Sequence, residues 1–279
     1  MKPIIAKKEV TKYILKTFDI HMSKKLGQNF LIDETVVNNI VKAAEIEEGE
    51  TVLEIGPGIG TLTQALAEAK ANVIAVEIDN KLPAVLAKTL EGYDNVRIVH
   101  DDILKVNIRE LVEDKPFKVV ANLPYYITTP IIMGILEQKL PVTRLVTMIQ
   151  KEVADRMIAK PGKKDYGSLS VAVQYYTEPE IVALVPPKSF IPSPAVDKEK
   201  KSCKVRPQPA VKVNSEKMFF TIAKGGFAQR RKTLSNSLKT TGIPADRIKG
   251  ALESAGIDGN RRGETLSLQE FADIANNLA

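Results

Sequence analysis

The segment Asn122-Leu123-Pro124-Tyr125 combines residue types that could orient an exocyclic adenine amine for alkylation. The N6 amine of adenine is a poor nucleophile because its lone pair is delocalised into the ring. Acceptors for its two N–H groups would help by fixing the direction of that lone pair: Asn122 offers a side-chain carbonyl and Leu123 a backbone carbonyl that Pro124 restrains. Tyr125 offers a ring on which an extruded base can stack, a contact worth about 1–3 kcal/mol. The segment predicts catalysis by orientation and electrostatic stabilisation, without a general base.

A glycine-rich segment, Glu54-Ile55-Gly56-Pro57-Gly58-Ile59-Gly60, predicts a nucleotide-cofactor site between a strand and a helix. Glycines allow a tight turn and a close approach of the backbone to a ligand, and the helix start offers unpaired N–H donors. The spacing is GxGxG with an acid two residues ahead, rather than the dinucleotide pattern GxGxxG. This favours the carboxylate and ribose of S-adenosylmethionine, with Glu54, Gly56 and Gly58 as cofactor-binding residues.

Two further acids end later strands of the same predicted sheet. Glu77 comes 21 residues after Gly56, where a doubly wound fold places the group that accepts hydrogen bonds from ribose hydroxyls. Ile78 beside it can pack on the adenine face. Asp102 closes the next strand and can receive the adenine amino group, with Ile103 beside it. Alone, each feature also fits a tight turn or a solvated strand end, but their alignment at successive strand ends predicts cofactor binding.

The elements that must position these residues alternate between helix and strand from residue 34 to residue 150. This pattern predicts an α/β, Rossmann-like fold with a mainly parallel sheet. Asp33 is the predicted N-cap of the first helix. Strands are predicted as continuous apolar runs, as expected where helices cover both faces, at 51–55, 72–76, 96–99, 117–121 and 145–149. Helices are predicted at 62–68, 81–90, 130–137 and 151–159.

The remaining chain predicts a second domain. Residues 168–176 and 181–185 are β-rich and predict antiparallel additions to the sheet, followed by a proline- and lysine-rich segment, 186–209. Beyond it the patterns are helical only, at 216–224, 229–239, 246–255 and 268–278, with breaks at 225–226, 242–244 and 256–259. We therefore expect a methyltransferase domain over residues 1–209 and a small all-helical domain over residues 210–279.

Basic residues are concentrated in the C-terminal third of the chain. Residues 198–279 contain 16 Lys and Arg against 8 Asp and Glu, whereas residues 1–197 contain 24 against 26. Neutralising phosphates releases condensed counterions, so this asymmetry predicts a polyanion-binding face; a merely solvated surface is the alternative. The predicted RNA contacts are Arg230, Arg231 and Lys232, at the start of a predicted helix. Further cations could extend the track: Lys24, Lys25, Lys160, Lys163, Lys164, Arg261 and Arg262.

Composition argues against several other classes of protein. Cys203 is the single cysteine, so the chain can form no intrachain disulfide, and no metal site is predicted. Residues 1–29 lack the apolar core of a signal peptide, and no apolar run approaches the ~20 residues of a membrane span. These features predict a soluble, cytoplasmic protein without membrane association, which we take to be a monomer.

Taken together, the motifs resemble those of the bacterial small-subunit (16S) ribosomal RNA adenine N6,N6-dimethyltransferases over almost the entire chain. The matching segments are 25–31, 54–60, 77–79, 102, 122–125, 186–194 and 227–234. The resemblance implies that two methyl groups pass from S-adenosylmethionine to N6 of each of two adjacent adenosines near the 3′ end of 16S ribosomal RNA. It also implies the small ribosomal subunit as the partner and ribosome biogenesis as the setting.

The resemblance assigns further residues. It implies that Gln28, Asn29 and Leu31 help to close over the cofactor together with Gly56, Glu77, Asp102 and Asn122. Phe190 would be the second aromatic residue that sandwiches the target base, opposite Tyr125. One stretch departs from the family: residues 198–204 are strongly charged where an apolar strand is usual. We therefore expect no buried central strand there, but a lysine-studded edge strand or an RNA-facing loop.

Other functions remain open on the sequence. The chain could act chiefly as a ribosome-assembly factor that binds immature subunits, with methylation secondary. A related large-subunit ribosomal RNA adenine methyltransferase would share the chemistry of residues 122–125, although segments 186–194 and 227–234 argue against it. A DNA adenine methyltransferase is less favoured because its motif usually continues with Pro-Pro. An NAD-dependent oxidoreductase is disfavoured because the loop spacing is wrong and neither His21 nor His100 lies where a catalytic base is expected.

Overall fold

The computed structural model describes residues 2–23, 27–124, 127–193 and 198–279 of the 279-residue chain. The chain divides into two compact units. Unit 1 comprises Met1–Ala154 and Glu180–Val205, and unit 2 comprises Asp155–Pro179 and Arg206–Ala279. Residues 155–179 thus group with the C-terminal part of the chain. The domain boundary between residues 209 and 210 stays a prediction from the sequence.

Elements of regular structure follow one another closely along the chain. In the first part they are α1 (Lys8–Thr17), β1 (Phe30–Leu31), α2 (Glu34–Ala44), β2 (Thr51–Ile55), α3 (Thr61–Glu68), β3 (Asn72–Glu77), α4 (Leu82–Thr89), β4 (Val96–His100), α5 (Ile108–Leu111), β5 (Phe117–Asn122), α6 (Thr128–Glu137) and β6 (Val142–Gln150). In the second part they are α7 (Lys151–Ile158), α8 (Ser168–Tyr176), β7 (Thr177–Val185), β8 (Phe190–Ile191), β9 (Lys198–Val205), α9 (Glu216–Ala228), α10 (Leu234–Leu238), α11 (Ala245–Ser254) and α12 (Leu268–Asn276), with short 3-10 turns at Pro187–Ser189, Lys239–Thr241 and Gly263–Thr265.

A seven-stranded sheet in the order β4-β3-β2-β5-β6-β9-β7 forms the centre of unit 1. Strands β2 to β6 are mutually parallel where they pair, and β9 is antiparallel to β6. Ile55 at the end of β2 lies opposite Val76 and Ala121, and Glu77 lies opposite His100. The carboxyl ends of β2, β3, β4 and β5 therefore meet at one edge, which confirms the predicted α/β fold.

Burial explains why the parallel strands read as continuous apolar runs. Val52, Leu53, Val119 and Val120 are each 0% exposed, as expected for parallel strands that are covered on both faces. The predicted N-cap is also confirmed. An Oδ atom of Asp33 accepts hydrogen bonds from the first backbone N–H groups of α2, a cap typically worth about 1 kcal/mol.

The β-rich assignment of residues 168–176 is wrong, because these residues form helix α8. Six of the nine residues of α8 are buried: Leu169, Ser170, Val171, Ala172, Val173 and Tyr175. A short, largely buried run of β-branched and aromatic residues cannot be distinguished from a strand by periodicity alone. The neighbouring segment 181–185 does lie in a strand, β7.

The expectation for residues 198–204 is also wrong, because β9 lies inside the sheet, between β6 and β7. It pairs with β6 along most of its length, from Gln150 opposite Lys198 to Arg144 opposite Lys204. Cys203 is 1% exposed while Lys204 is exposed. Strand pairing uses the backbone, and alternate side chains point to opposite faces, so a position inside the sheet does not require every side chain to be buried.

Unit 2 is built from helices around a second core, centred on Phe219, Leu234, Leu238 and Phe271. The break predicted at residues 225–226 is wrong, since α9 runs through both glycines to Ala228. The helix predicted over 229–239 is shorter, because α10 begins at Leu234. Residues 229–232 are instead a turn, closed by a hydrogen bond from the N–H of Lys232 to the carbonyl of Gln229.

In the part of the chain that the structure describes, no helix combines the length and apolar character needed to cross a membrane. The same residues contain no group of three His, Cys, Asp or Glu side chains that could hold a metal ion.

Candidate active site

A cleft opens at the edge of the sheet where the parallel strands end, and it encloses about 1070 Å³ including its opening to solvent. Its walls come from the segment before α2, the glycine turn after β2, and the ends of β3, β4 and β5. It collects these sequence-predicted residues: Gln28, Asn29, Leu31, Glu54, Gly56, Gly58, Glu77, Ile78, Asp102, Ile103, Asn122, Leu123 and Pro124. No His, Lys or Arg is among its described lining residues.

The glycine turn has a backbone that residues with side chains rarely adopt. Gly56, Gly58 and Gly60 have φ angles of +70°, +62° and +92°, in the left-handed region that glycine enters without a steric penalty. A Cβ at Gly58 would also lie 3.2 Å from the ring of Phe30. The turn therefore brings bare backbone to the floor of the cleft and leads directly into α3.

Glu77 is buried, and its carboxylate is held from two sides. The N–H of Gly58 donates to Oε2 at 3.1 Å and the N–H of Asp79 donates to Oε1 at 2.8 Å. Burial raises its pKa above the usual range, and these hydrogen bonds oppose the rise. The two contacts fix the orientation of the carboxylate, and each oxygen keeps a further lone pair for a ligand.

Glu54 is 1% exposed, and its Oε2 atom has no hydrogen-bond partner among the described residues. Burial raises the pKa of this carboxyl group to about 8, with an opposing effect of the nearby Thr63 hydroxyl and a smaller rise from the charge of Glu77. A buried polar atom without a partner costs about 1–3 kcal/mol. Glu54 is therefore an acceptor that a cationic or hydrogen-bond-donating ligand would satisfy.

The far wall contains the residues after β3 and β4. Ile78 is 50% exposed although it lines the cleft, so its apolar side chain is available to a flat ring. Asp102 accepts a hydrogen bond from the N–H of Leu104 at 3.0 Å, while Ile103 is buried beside it. These contacts hold the Asp102 carboxylate in a turn at the rim of the cleft.

Asn122, the last residue of β5, donates from Nδ2 to the backbone carbonyl of Asn29 at 3.1 Å. Only the amide nitrogen can make this bond, so the contact fixes which branch of the amide is the oxygen. Leu123 is buried at 1% exposure. The carbonyl of Pro124 accepts from the hydroxyl of Thr128 at 2.9 Å, which ties the turn to the start of α6.

Of the two aromatic residues that were predicted to sandwich the base, the structure describes only Phe190. Tyr125 lies outside the described residues. Phe190 is 2% exposed, pairs with Leu31 in the two-stranded ladder of β1 and β8, and packs in the core. It is not among the residues that line the cleft. Its role toward a base stays a prediction.

Other lining residues were missed by the sequence analysis. Phe30 lies under the glycine turn, Met148 on β6 and Ile131 on α6 contribute apolar wall, and Asp101 lies at the rim. Asp79 hydrogen-bonds to Gln28 and to Glu77, both of which line the cleft. Phe30 and Asp79 fall within segments 25–31 and 77–79, but their contacts depend on the tertiary fold.

In unit 2 the structure brings three basic segments together. Arg230 donates to the carbonyls of Lys164 at 2.6 Å and Tyr166 at 3.0 Å, and its Nε lies 3.5 Å from a carboxylate oxygen of Glu264. Backbone hydrogen bonds join Gly162 to Glu264 and Leu234 to Arg261. The exposed cations that result, here called the basic cluster, are Lys160, Lys163, Lys164, Arg231, Lys232 and Arg262.

Comparison with known proteins gives a consistent result. Residues 20–279 match a family described as ribosomal RNA adenine dimethylase. The Ribosomal RNA small subunit methyltransferase A of Clostridioides difficile (strain 630) is 51% identical over 271 residues, 95% of this chain and 94% of that protein. The protein of the same name from Alkaliphilus oremlandii (strain OhILAs) is 48% identical over 281 residues, 99% of this chain and 98% of that protein.

Two solved structures are similar to most of the chain. A dimethyladenosine transferase from Plasmodium falciparum has a TM-score of 0.76 and 25% identity, over 88% of this chain and 95% of that one. The 23S rRNA methyltransferase ErmE has a TM-score of 0.68 and 27% identity, over 89% of this chain and 99% of that one.

Proposed function

The chain belongs to the ribosomal RNA adenine dimethylase family, and on that premise we propose that the cleft of unit 1 dimethylates adenine amines of small-subunit ribosomal RNA. The enzyme is a methyltransferase that depends on S-adenosylmethionine. One observation carries the assignment of the reaction to this cleft: the glycine turn and residues 122–124 line the same space. A methyl group held at the turn can therefore be within reach of an amine held at Asn122.

The hydrogen-bonding groups of the cleft fit S-adenosylmethionine. The unpartnered Oε2 of Glu54 suits the cationic methionine end, and the bare backbone of Gly56 and Gly58 suits close approach. Glu77 would accept from ribose hydroxyls and Asp102 from the adenine amino group, with Ile78 against the ring. Gln28, Asn29, Leu31 and Ile103 complete the walls. When bound, the cofactor supplies a sulfonium methyl group for transfer.

The amine would be oriented by two carbonyl acceptors. The bond from Nδ2 of Asn122 to Asn29 sets the direction of Oδ1, which would accept from one N–H of the amine, and the backbone carbonyl of Leu123 would be the second acceptor. The described lining has no imidazole or amine to act as a base, so orientation is the main contribution of these residues. Tyr125 would stack on the base.

RNA would be held by the basic cluster of unit 2. Arg231 and Lys232 are exposed, and the loop of Lys163 and Lys164 lies beside them. Because Arg230 is engaged with two backbone carbonyls and Glu264, we propose that it mainly holds this loop while its neighbours contact phosphates. Such contacts position RNA without reading its sequence.

We also propose the finer setting of the reaction: the 16S RNA within the small ribosomal subunit as the substrate, a monomeric enzyme, and the cytoplasm as the location. The curated relatives at about 50% identity carry a small-subunit name, which favours this substrate. The likeness to ErmE keeps a large-subunit substrate as the second candidate.

The test is methyl transfer to purified ribosomal subunits that lack the modification. The protein is incubated with labelled S-adenosylmethionine and either small or large subunits, and the RNA is digested to nucleosides. We expect N6,N6-dimethyladenosine in the small-subunit RNA. Label in the large-subunit RNA would favour the second candidate. Binding to small subunits without any transfer would favour an assembly factor, and label on cytosine, DNA or protein would refute the proposal.

A further inference from the structure

Gln28 lines the cleft, but its side-chain amide is engaged by other residues of the protein. Its Oε1 accepts a hydrogen bond from the N–H of Ser23 at 2.8 Å, and its Nε2 donates to Oδ2 of Asp79 at 2.6 Å. The first bond fixes the orientation of the amide, because an N–H can donate only to the oxygen. The sequence predicts that Gln28 binds the cofactor directly, but these contacts favour a role within the protein.

Asp79 is held rigidly on the other side of this bond. Its Oδ1 accepts from the N–H of Lys81 at 3.0 Å and its carbonyl accepts from the N–H of Leu82 at 3.2 Å, both where α4 begins. Its own N–H donates to Oε1 of Glu77. A bond between an amide and an ionised carboxylate is stronger than one between neutral groups, so Asp79 is a firm anchor next to a cofactor-binding carboxylate.

Residues 27–31, here called the wall segment, form the side of the cleft that Gln28 anchors. The carbonyl of Asn29 in this segment accepts the hydrogen bond that orients Asn122. The position of the wall segment therefore affects two things at once: the width of the cleft above the glycine turn and the orientation of the Asn122 amide.

We infer that Gln28 and Asp79 are positioning residues, and that their hydrogen bond holds the wall segment against the end of β3 and thereby sets the affinity for the cofactor. The inference rests on the proposed function, because it assigns the cleft to S-adenosylmethionine. Neither side chain needs to touch the reacting atoms. The bond acts through the wall segment.

Reversing the polarity of the bond provides a sharp test. The side chain of Asp79→Asn has one oxygen, and where the N–H of Lys81 keeps that oxygen, the new amide nitrogen faces the amide nitrogen of Gln28. Gln28→Glu places two carboxylates face to face. Each single variant therefore loses the charge-assisted bond. In the double variant Q28E/D79N the Asn amide can donate to the Glu carboxylate, and the other carboxylate oxygen can still accept from Ser23. The double variant also keeps the net charge of the wild type.

The measurement is the dissociation constant and dissociation rate of S-adenosylhomocysteine, by calorimetry and stopped-flow fluorescence. Loss of a charge-assisted hydrogen bond predicts an affinity about tenfold weaker in each single variant, with recovery to within about twofold in the double variant. Amide hydrogen exchange at residues 28–32 should quicken and recover in parallel. Gln138→Glu, an exposed change of the same type just after α6, is the control and should bind as the wild type does.

Wild-type affinity in both single variants would overturn the inference, and so would weak binding in all three, because then the pairing itself would not matter. If the single variants also unfold at a lower temperature, the double variant separates the two causes of weak binding, because its affinity recovers only if the bond is restored. A wild type that binds S-adenosylhomocysteine but transfers no methyl group to ribosomal RNA would refute the proposed function and leave this inference standing.

Discussion

Asn122 uses its amide nitrogen to contact the carbonyl of Asn29, and this contact decides which atom of the amide can accept from a substrate amine. The same logic applies to the carboxylate of Glu77, whose two oxygens are each fixed by a backbone N–H. At the residue scale, the cleft is therefore an arrangement of acceptors whose directions are set by the backbone.

Asn122→Ala removes the acceptor without adding bulk. We expect the rate of methyl transfer to fall by about 10²–10³-fold, the size typical when one preorganised polar group of an active site is lost. Affinity for S-adenosylhomocysteine should change much less. Single-turnover transfer to small subunits measures the first quantity and calorimetry the second. A variant with nearly the wild-type rate would show that Asn122 does not orient the amine.

Glu54 predicts a pH dependence of stability in the cofactor-free protein. Burial raises its pKa from 4.5 to about 8, so between these values the folded protein binds more protons than the unfolded chain. The free energy of unfolding should therefore fall as pH rises through this window, by about 1.4 kcal/mol per unit of pKa difference, and level off above it.

Glu54→Gln keeps the shape of the side chain and removes its titration. We expect the variant to lack this part of the pH dependence, so that its stability relative to the wild type increases from about pH 5 to pH 8. Urea denaturation at a series of pH values measures the difference. Parallel profiles for the two proteins would contradict the expected ionisation of Glu54.

Elements built from local signals were predictable from the sequence. The Asp33 cap, the parallel strands and the glycine turn depend on nearby residues, and the topology then brings successive strand ends to one edge. The segments that failed depend on distant neighbours. Helix α8 is largely buried, β9 gains its partners from β6 and β7, and the glycines of α9 make close contacts with residues outside that helix.

In the candidate site, too, local features were predictable and long-range contacts were not. Most of the lining residues could be predicted, because the motifs lie at the ends of the strands. The burial of Phe190 and the bond between Gln28 and Asp79 could not, since both join segments far apart in the chain. The engagement of Arg230 was hidden for the same reason.

A substitution at Gly226 tests whether close packing against α9 requires a glycine at that position. A Cβ at this position would lie 2.9 Å from the ring of Phe271 on α12, so Gly226→Ala should lower the free energy of unfolding by about 1–3 kcal/mol through overpacking. A Cβ at Gly250 on α11 would meet nothing within 4 Å, so Gly250→Ala should instead raise it by about 0.8–1 kcal/mol through helix propensity. Thermal or urea denaturation compares the two. Equal effects would contradict close packing at Gly226.

At the scale of the whole molecule, the candidate active site and the basic cluster belong to different units. Among the described residues, the charged ones that line the cleft of unit 1 are all acids, whereas the cations of the basic cluster belong to unit 2. Affinity for RNA and affinity for the cofactor should therefore respond to different substitutions.

Salt dependence of RNA binding tests this division. Arg231→Ala and Lys232→Ala should each reduce the slope of log K against log salt by about one, because each removes one phosphate contact. Lys249→Ala, which removes an exposed cation paired with Glu253 on α11, is the matched control and should leave the slope unchanged. Filter binding to small-subunit RNA at several salt concentrations gives the slopes. Equal slopes for all variants would exclude residues 231–232 as phosphate contacts.

The place of β9 in the sheet has a consequence for how the polypeptide is made. Among the seven strands of this sheet β9 is the last to leave the ribosome, yet it occupies the gap between β6 and β7. When translation has reached residue 190, the other six strands of the sheet have been synthesised, but β9, the strand that pairs with β6 on the side of β7, is still missing. Completion of this sheet during translation must therefore wait for residues 198–205, so a stalled or truncated product would expose two open strand edges to misassociation.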